Sequence, residues 1–377
     1  MVSEPATQPV ERALARVDLS AVARNCGRLK TALTGGAELC AVVKADGYGH
    51  GAVPCAWAAI EGGATWLAVA TAHEAMQLRE EGIETRVLVM GALTPEEAQL
   101  ALQAEADVVA WREGFARRLA EWAEGRYARV HVKLDTGMGR LGTRDPDEAL
   151  RVIDAVSADD LLELSGLMTH FATADEPGDE HFPRQLERFT AFVERVKPDQ
   201  PQAVVHAANS AATLRDSASH FDMTRCGIAV YGLDPFNSDP ADHGLEPALS
   251  LGSYVGRVER FEPGAGAGYG QTWHTPEATW VATLPIGYGD GWRRGLSNNA
   301  DVLIGGRRLP LVGTVSMDNV TVDVGPGGEA EVGERAVLIG GQGSERILCE
   351  EVARRLGTIN YEVTCGLSSR VPRRYER

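Results

Sequence analysis

The chain has 377 residues, 44% of them apolar and 24% charged. That is the balance of a globular protein long enough for two or three domains, and it excludes a disordered chain and a disulfide-stapled miniprotein. Aspartates and glutamates outnumber lysines and arginines by 53 to 37, a net charge of −16 that would repel nucleic-acid phosphates.

A helix is expected first, with Ser20 as its cap, Leu19, Val22, Leu29 and Leu33 as its apolar stripe and Gly35 as its stop. Up to about residue 240 one unit then recurs: a short apolar run, a polar or glycine-rich loop, and an amphipathic helical window. The eight runs are Leu39–Val43, Trp66–Ala70, Val87–Met90, Asp107–Ala110, Val130–Leu134, Leu164–Met168, Ala203–His206 and Gly227–Tyr231. Their near-continuous hydrophobicity predicts parallel strands buried on both faces. Phe182, Leu186, Phe189, Val193 and Val196 mark one intervening helix by their spacing of three and four. Eight such units predict a (β/α)8 barrel; a doubly wound open sheet shares the alternation but not the strand count.

Beyond about residue 247 the texture changes. Runs at 254–261, 280–284, 301–304, 309–312, 320–324 and 336–339 are β-rich, and 22 of the 42 glycines fall in the last 130 residues. A second, mostly-β domain is expected, with one helix at Leu348–Leu356. The division is therefore a barrel over 11–245 and a β-domain over 246–377, with residues 1–18 also free to pack on the latter. The six cysteines are scattered without a C-x-x-C. They read as reduced thiols of a cytoplasmic protein, with no metal site. The first 13 residues, with Glu4 and Glu11 and no apolar core, do not read as a secretory signal, and no run reaches the roughly 18 apolar residues of a membrane span.

Several motifs could carry chemistry. Lys44 ends the first apolar run and opens the loop Ala45-Asp46-Gly47-Tyr48-Gly49-His50-Gly51. A lysine at the rim of a barrel is partly desolvated and becomes a nucleophile for Schiff-base chemistry. Taken alone, the same lysine is equally a surface residue at a strand end. Tyr269 and Tyr288 each sit between glycines, and either could simply cover a hairpin. His131, Lys133, Asp135 and Arg140, then Thr169 and His170, then His206, Asn209 and Ser210, then Arg225 and Gly227, all follow or overlap barrel strands. Polar groups at successive strand ends converge on one face.

The motifs VVKADGYGHG, KLDTGMGRLG, THFATADE, ANSAA, GYGQT, PIGYGDG, SMDN and NYEV, in this order from about residue 11 to the C-terminus, resemble those of the alanine racemase family. The resemblance implies pyridoxal 5′-phosphate carried on Lys44. It places Tyr48, His170, Asn209, Ser210, Arg225, Gly227, Ile228 and Tyr361 around the cofactor, with Arg225 at the pyridine nitrogen. It implies a homodimer with shared active sites, in which Lys44 takes the α-proton of the D-enantiomer and Tyr269 of the partner subunit that of the L-enantiomer. A tyrosine base needs positive neighbours, for which His170 and Arg225 are the candidates, with His206 behind them. Arg140 and the Met317 N–H would hold the substrate carboxylate, and Lys133 matches a position often carbamylated. His206, Asp175, Tyr288, Arg294 and Asp318 would support the site and line the approach to it. The implied role is to supply D-alanine for peptidoglycan.

Two positions depart from the family: Thr314, where arginine is frequent, and Asn319, where glutamine is common. Both lie on the approach corridor, which keeps a broader alanine and serine racemase open. A non-catalytic cofactor carrier would lack the β-domain and the second base. A decarboxylase of similar architecture would place an acid, not Arg225, at the ring nitrogen.

Overall fold

The computed structural model describes residues 11–377. They form two compact units, one over Leu19–Glu246 and one joining Pro247–Arg377 to the described residues up to Asp18.

The described chain opens on strand β1 (Ala13–Asp18), which belongs to the second unit. In the first unit, β2 (Glu38–Val42), β3 (Trp66–Val69), β4 (Arg86–Val89), β5 (Asp107–Ala110), β6 (Ala128–Lys133), β7 (Leu162–Met168), β8 (Val204–His206) and β9 (Met223–Cys226) close into a parallel barrel, with β9 returning to β2. Every residue of β3 and β5 is buried, which is why β3 reads as an unbroken apolar run and β5 as one broken only by Asp107. Helices between them start at designed signals. Thr71 with Glu74 and Thr94 with Glu97 form capping boxes that satisfy orphan N–H groups at both helix starts.

Two sequence expectations shift. The eighth strand is Met223–Cys226; the apolar run Gly227–Tyr231 expected there is instead a buried 3₁₀ turn over Ile228–Tyr231. A short apolar run does not distinguish a buried strand from a buried turn, and the true strand was disguised by Thr224 and Arg225. The first helix spans Leu19–Ala32, so Ser20 lies inside it rather than capping it. Its buried face is Ala21, Val22, Asn25, Cys26 and Leu29, without Leu19 or Leu33.

The second unit contains β10 (Leu249–Tyr254), β11 (Arg257–Phe261), β12 (Gly266–Ala267), β13 (Trp273–His274), β14 (Thr279–Leu284), β15 (Asp301–Ile304), β16 (Arg307–Val312), β17 (Val320–Gly325), β18 (Arg335–Gln342), β19 (Glu345–Ile347) and β20 (Arg373–Glu376). Its large sheet runs β11-β14-β17-β16-β15-β18-β10-β1-β20, with β19 on β18, while β12 and β13 pair only with each other. The run expected at 254–261 is two strands. They are broken where the Gly256 N–H turns to the Thr283 carbonyl. Strand β1 lies between β10 and β20, so residues 13–18 belong to the β-unit and not to a barrel beginning at 11. Ala13, Ala15 and Val17 alternate buried with half-buried neighbours, the period-2 signature of a strand with one face on a core. The expectation for residues 1–10 lies outside the described residues. Helices Cys349–Leu356 and Asn360–Cys365 complete the unit.

No helix among the described residues is long and apolar enough to cross a membrane, and no described cluster of histidine, cysteine or carboxylate could hold a metal ion. Five of the six cysteines are buried.

Val17 is fully buried between two ladders. Val17→Asp is expected to cost several kcal/mol, because it places an unpaired carboxylate in a sheet interior. Limited proteolysis should then cut first within 247–377 and leave the barrel intact.

Candidate active site

Arg225 in β9 is almost fully buried. Its Nη1 donates to His206 Nδ1 (2.7 Å), and its Nη2 donates to the carbonyls of Thr169 (2.8 Å) and Ala207 (3.1 Å), with His170 Nδ1 at 3.3 Å. A guanidinium only donates, so His206 Nδ1 must accept and the ring carries its hydrogen on Nε2. That hydrogen points at His131 Nδ1 (2.8 Å), and His131 Nε2–H in turn donates to Asp107 Oδ2 (2.9 Å). Asp107 also receives Arg86 (2.5 Å) and Arg129 (2.7 Å). A one-way chain of hydrogen bonds therefore runs through the barrel from Arg225 to Asp107.

Titration behaviour follows from these contacts. Burial pulls Arg225 down to about 10, which leaves it charged at neutral pH. Burial and the Arg225 charge hold both His206 and His170 well below the ordinary histidine range. His170 is thus neutral and is not the positive neighbour considered above. Burial pushes the Asp107 carboxyl up, but the His131 and Arg129 hydrogen bonds and the Arg86 charge outweigh it and bring it down to about 2.

Lys44 follows β2 directly after Val43. Ala45, Asp46, Gly47 and Tyr48 then all have positive φ (53°, 51°, 60° and 54°), a single left-handed turn. Such a turn costs about 1–2 kcal/mol for each residue other than glycine. Its bonds hold it in place: the Ala45 N–H donates to Glu74 Oε1 (2.7 Å), and the Ala52 N–H to Asp46 Oδ1 (2.9 Å). The Tyr231 hydroxyl donates to the Val42 carbonyl (2.9 Å) while its ring stacks on buried His50 (4.5 Å) and tilts against Tyr48 (5.3 Å). Lys44 Nζ lies 5.9 Å from the Tyr48 ring centroid.

Beside this turn, the N–H groups of Gly227 and Ala229 point at Ser210 Oγ (2.9 and 3.4 Å). A Cβ at position 227 would stand 2.4 Å from Tyr48 Oη, so any larger residue there would push the Tyr48 ring aside. Two hydroxyls and a run of turn N–H groups make a donor set suited to a phosphate. Asn209 uses its side-chain oxygen to cap the following helix at Ala212 N (2.9 Å).

Lys133 ends β6 and is 5% exposed. Burial, Arg225 and Arg140 lower its amine to about 8. Asp135 accepts the N–H groups of Gly137, Met138 and Gly139 and so folds the loop that presents Arg140 at the surface. Asp175 is exposed on the loop after β7.

The remaining candidates belong to the β-unit. Tyr269 is 74% exposed at the tip of the β12–β13 ribbon. The Tyr288 and Met317 turns are joined: the Tyr288 N–H donates to Ser316 O (3.0 Å) and the Gly289 N–H to Met317 O (2.9 Å). Arg370 bridges Asp318 (2.6 Å) to fully buried Asp290 (3.4 Å), which accepts the Gly287 N–H (2.9 Å). No hydrogen bond among the described residues ties Arg294 to either turn; it is exposed in the 294–296 turn, and Tyr361 is half-buried in the helix at 360–365. Asp107 belongs to none of the sequence motifs. Its signal is an ionisable residue opening the otherwise apolar strand Asp107-Val-Val-Ala110.

Residues 17–235 match the family model described as alanine racemase, N-terminal domain, and residues 248–375 the model described as its C-terminal domain. An alanine racemase of Symbiobacterium thermophilum is 46% identical over 371 residues, covering 96% of each chain. One of Geobacillus stearothermophilus is 42% identical over 366 residues, covering 96% of this chain and 93% of its own. The crystal structure of alanine racemase from Streptomyces lavendulae superposes with a TM-score of 0.92 at 38% identity, covering 98% of both chains. That from Bacillus anthracis, with bound L-Ala-P, gives 0.89 at 37%, covering 98% of this chain and 96% of that one.

A carboxyl lowered on folding contributes stability that is full above its unfolded pKa of roughly 4 and is lost as pH falls through about 2. Asp107→Asn is expected to destabilise the barrel by about 3 kcal/mol at pH 7. Urea unfolding should show that deficit narrowing from pH 4 downwards.

Proposed function

The chain belongs to the alanine racemase family and is an isomerase interconverting L- and D-alanine, and from that premise we propose that it works through pyridoxal phosphate and two bases, Lys44 and Tyr269, drawn from different subunits of a homodimer. The observation that carries the reading is the donor cradle of Tyr48, Ser210 and Gly227 beside Lys44, with the buried guanidinium of Arg225, which only donates, two residues before Gly227.

When bound, pyridoxal phosphate supplies an electron sink that makes the α-proton of an attached amino acid removable. Lys44 would hold it. Tyr48, Ser210 and the N–H groups of Gly227 and Ile228 would take its phosphate, with His170, Asn209 and Tyr361 as further contacts. Arg225, charged at about 10, would donate to the ring nitrogen without giving up its proton. The ring then withdraws electrons weakly, which limits charge build-up at the α-carbon and side reactions such as transamination.

Racemisation needs a proton removed on one face and returned on the other. The Lys44 amine serves the D-face and Tyr269 of the partner subunit the L-face. Arg140 and the Met317 N–H would grip the carboxylate, arginine through paired hydrogen bonds. Lys133, buried with its amine lowered to about 8, has the unprotonated fraction that carbamate formation needs. A carbamate there would be an anion able to orient Arg140. Tyr288 and Asp318, on the two joined turns, would narrow the approach, with Asp175 and Arg294 beside it. D-alanine for peptidoglycan, made in the cytoplasm, is the role this activity fits.

Wild-type protein soaked with cofactor should gain an absorbance band near the visible edge that Lys44→Ala lacks; colourless wild-type protein would refute the cofactor reading. Tyr269→Ala should slow solvent exchange of the α-proton from L-alanine more than from D-alanine, read by proton NMR in heavy water. Equal losses would sink the two-face assignment. Racemisation measured across L-alanine, L-serine and larger amino acids tests breadth. Thr314 and Asn319, both facing the cleft beside Tyr269, are the residues expected to admit serine.

A further inference from the structure

Tyr269 sits where a backbone is hardest to hold. Its ribbon is two strands of two residues each, paired with nothing else, and an isolated two-stranded ribbon is marginal in water. The turn at its tip bends through Gly268 (φ 74°), Gly270 (φ 70°) and Gln271 (φ 42°). The tyrosine ring is mostly exposed within its unit, so its own packing does not anchor it.

Side-chain hydrogen bonds do. Thr314 follows β16 of the large sheet by two residues and is 7% exposed. Its Oγ1 donates to the carbonyl oxygen of Tyr269 itself (2.7 Å) and lies 3.2 Å from Thr272 Oγ1, to which Asn298 Nδ2 donates (3.0 Å). The Gly313 N–H donates to Asn298 Oδ1 (2.6 Å), which fixes the orientation of that amide. A hydroxyl has one hydrogen. That of Thr314 goes to the carbonyl, so Thr272 must donate to Thr314 and accept from Asn298. The bonds therefore run one way, Asn298 to Thr272 to Thr314 to Tyr269, and each polarises the next.

Glycines permit the close approach. A Cβ at Gly313 would lie 2.6 Å from the Ala267 carbonyl oxygen, and one at Gly268 would lie 3.0 Å from the Thr314 nitrogen. The chain leaving β16 at 313–314 and the ribbon at 267–269 are thus in backbone contact, and Thr314 cross-links them at the residue that bears the phenol.

We propose that Thr314 is a positioning residue for Tyr269, its hydroxyl fixing the backbone from which the phenol reaches the α-proton. This rests on the reading of Tyr269 as the L-face base. Displacing a proton acceptor by about 1 Å can cost up to a hundredfold in rate, so a single buried tie at this carbonyl is enough to matter.

Thr314→Val keeps the shape and removes the donor; Thr314→Ser keeps the donor. In the dimeric, cofactor-loaded enzyme, the valine variant should lose about ten- to a hundredfold in α-proton exchange from L-alanine. Exchange from D-alanine should persist and the KM for alanine should change little. Because racemisation must slow equally in both directions at a fixed equilibrium constant, the diagnostic is the ratio of exchange to racemisation from D-alanine, which should rise. The serine variant should restore it. Independently of turnover, amide hydrogen exchange at 268–272 should quicken in the valine variant and not in the serine one. Unchanged amide exchange, or equal loss of exchange from both enantiomers in the valine variant alone, overturns the proposal. Equal loss in Tyr269→Phe as well would show instead that Tyr269 is not the L-face base.

Discussion

Arg225 is buried, charged and able only to donate hydrogen bonds, and that directionality organises the inside of the barrel. Barrels of this kind usually fill their interior with layers of branched apolar side chains. Here β5, β6, β8 and β9 contribute Asp107, His131, His206 and Arg225 instead, joined end to end. Because one end can only donate and the other, an ionised carboxylate, can only accept, both imidazoles between them are forced into one tautomer. Each then donates from Nε2. The arrangement offsets the cost of burying a guanidinium without placing an acid against it. Asp107 is steadied by Arg86 and Arg129, both partly open to solvent, so the chain is anchored at the end away from the reaction.

The same strand ends carry an excess of positive charge although the whole molecule carries −16. Lys44, Arg225 and Arg140 all act to lower the Lys133 amine, and Asp135 is the carboxylate that opposes them. An anionic phosphate and a substrate carboxylate would relieve that repulsion. It also favours a negative group on Lys133 itself. Local electrostatics at these strand ends therefore favour anionic ligands more sharply than net charge does. Beside them, the left-handed turn after Lys44 stores strain that Glu74, Asp46 and Tyr231 hold in place, so the lysine leaves its strand in one fixed direction.

The barrel was legible because parallel strands buried on both faces produce apolar runs that stand out against polar loops. Gly268 was legible because positive φ and close approach to the Thr314 backbone demand glycine, and Gly227 because it packs against the Tyr48 ring. What was not legible follows from the same logic. The eighth strand contains Arg225, whose long polar side chain faces other polar groups inside the barrel, so hydropathy passed over it and chose the apolar turn beside it. Asp107 belongs to the site only through residues distant in sequence, His131 among them. Strand β1 pairs with segments more than 230 residues away, and a pairing that distant leaves no local pattern beyond the alternation of Ala13, Ala15 and Val17.

The glycine excess acquires a mechanical meaning from the two candidate bases. Lys44 belongs to a closed barrel, and its direction is set by backbone geometry that many residues over-determine. Tyr269 belongs to a ribbon outside any large sheet, and glycines at 268, 270 and 313 give it both the turn and the approach to its support. Its accuracy therefore depends on a few side chains, among them Thr314, where the family frequently carries arginine. A long cation would fill the corridor, whereas a threonine is too short to do so and reaches only the neighbouring carbonyl. The exchange opens space beside the phenol while tying down the backbone beneath it. On the two-base reading proposed above, breadth of substrate and precision of the L-face proton transfer would be coupled through one residue, with Lys44 and its half of the reaction left untouched.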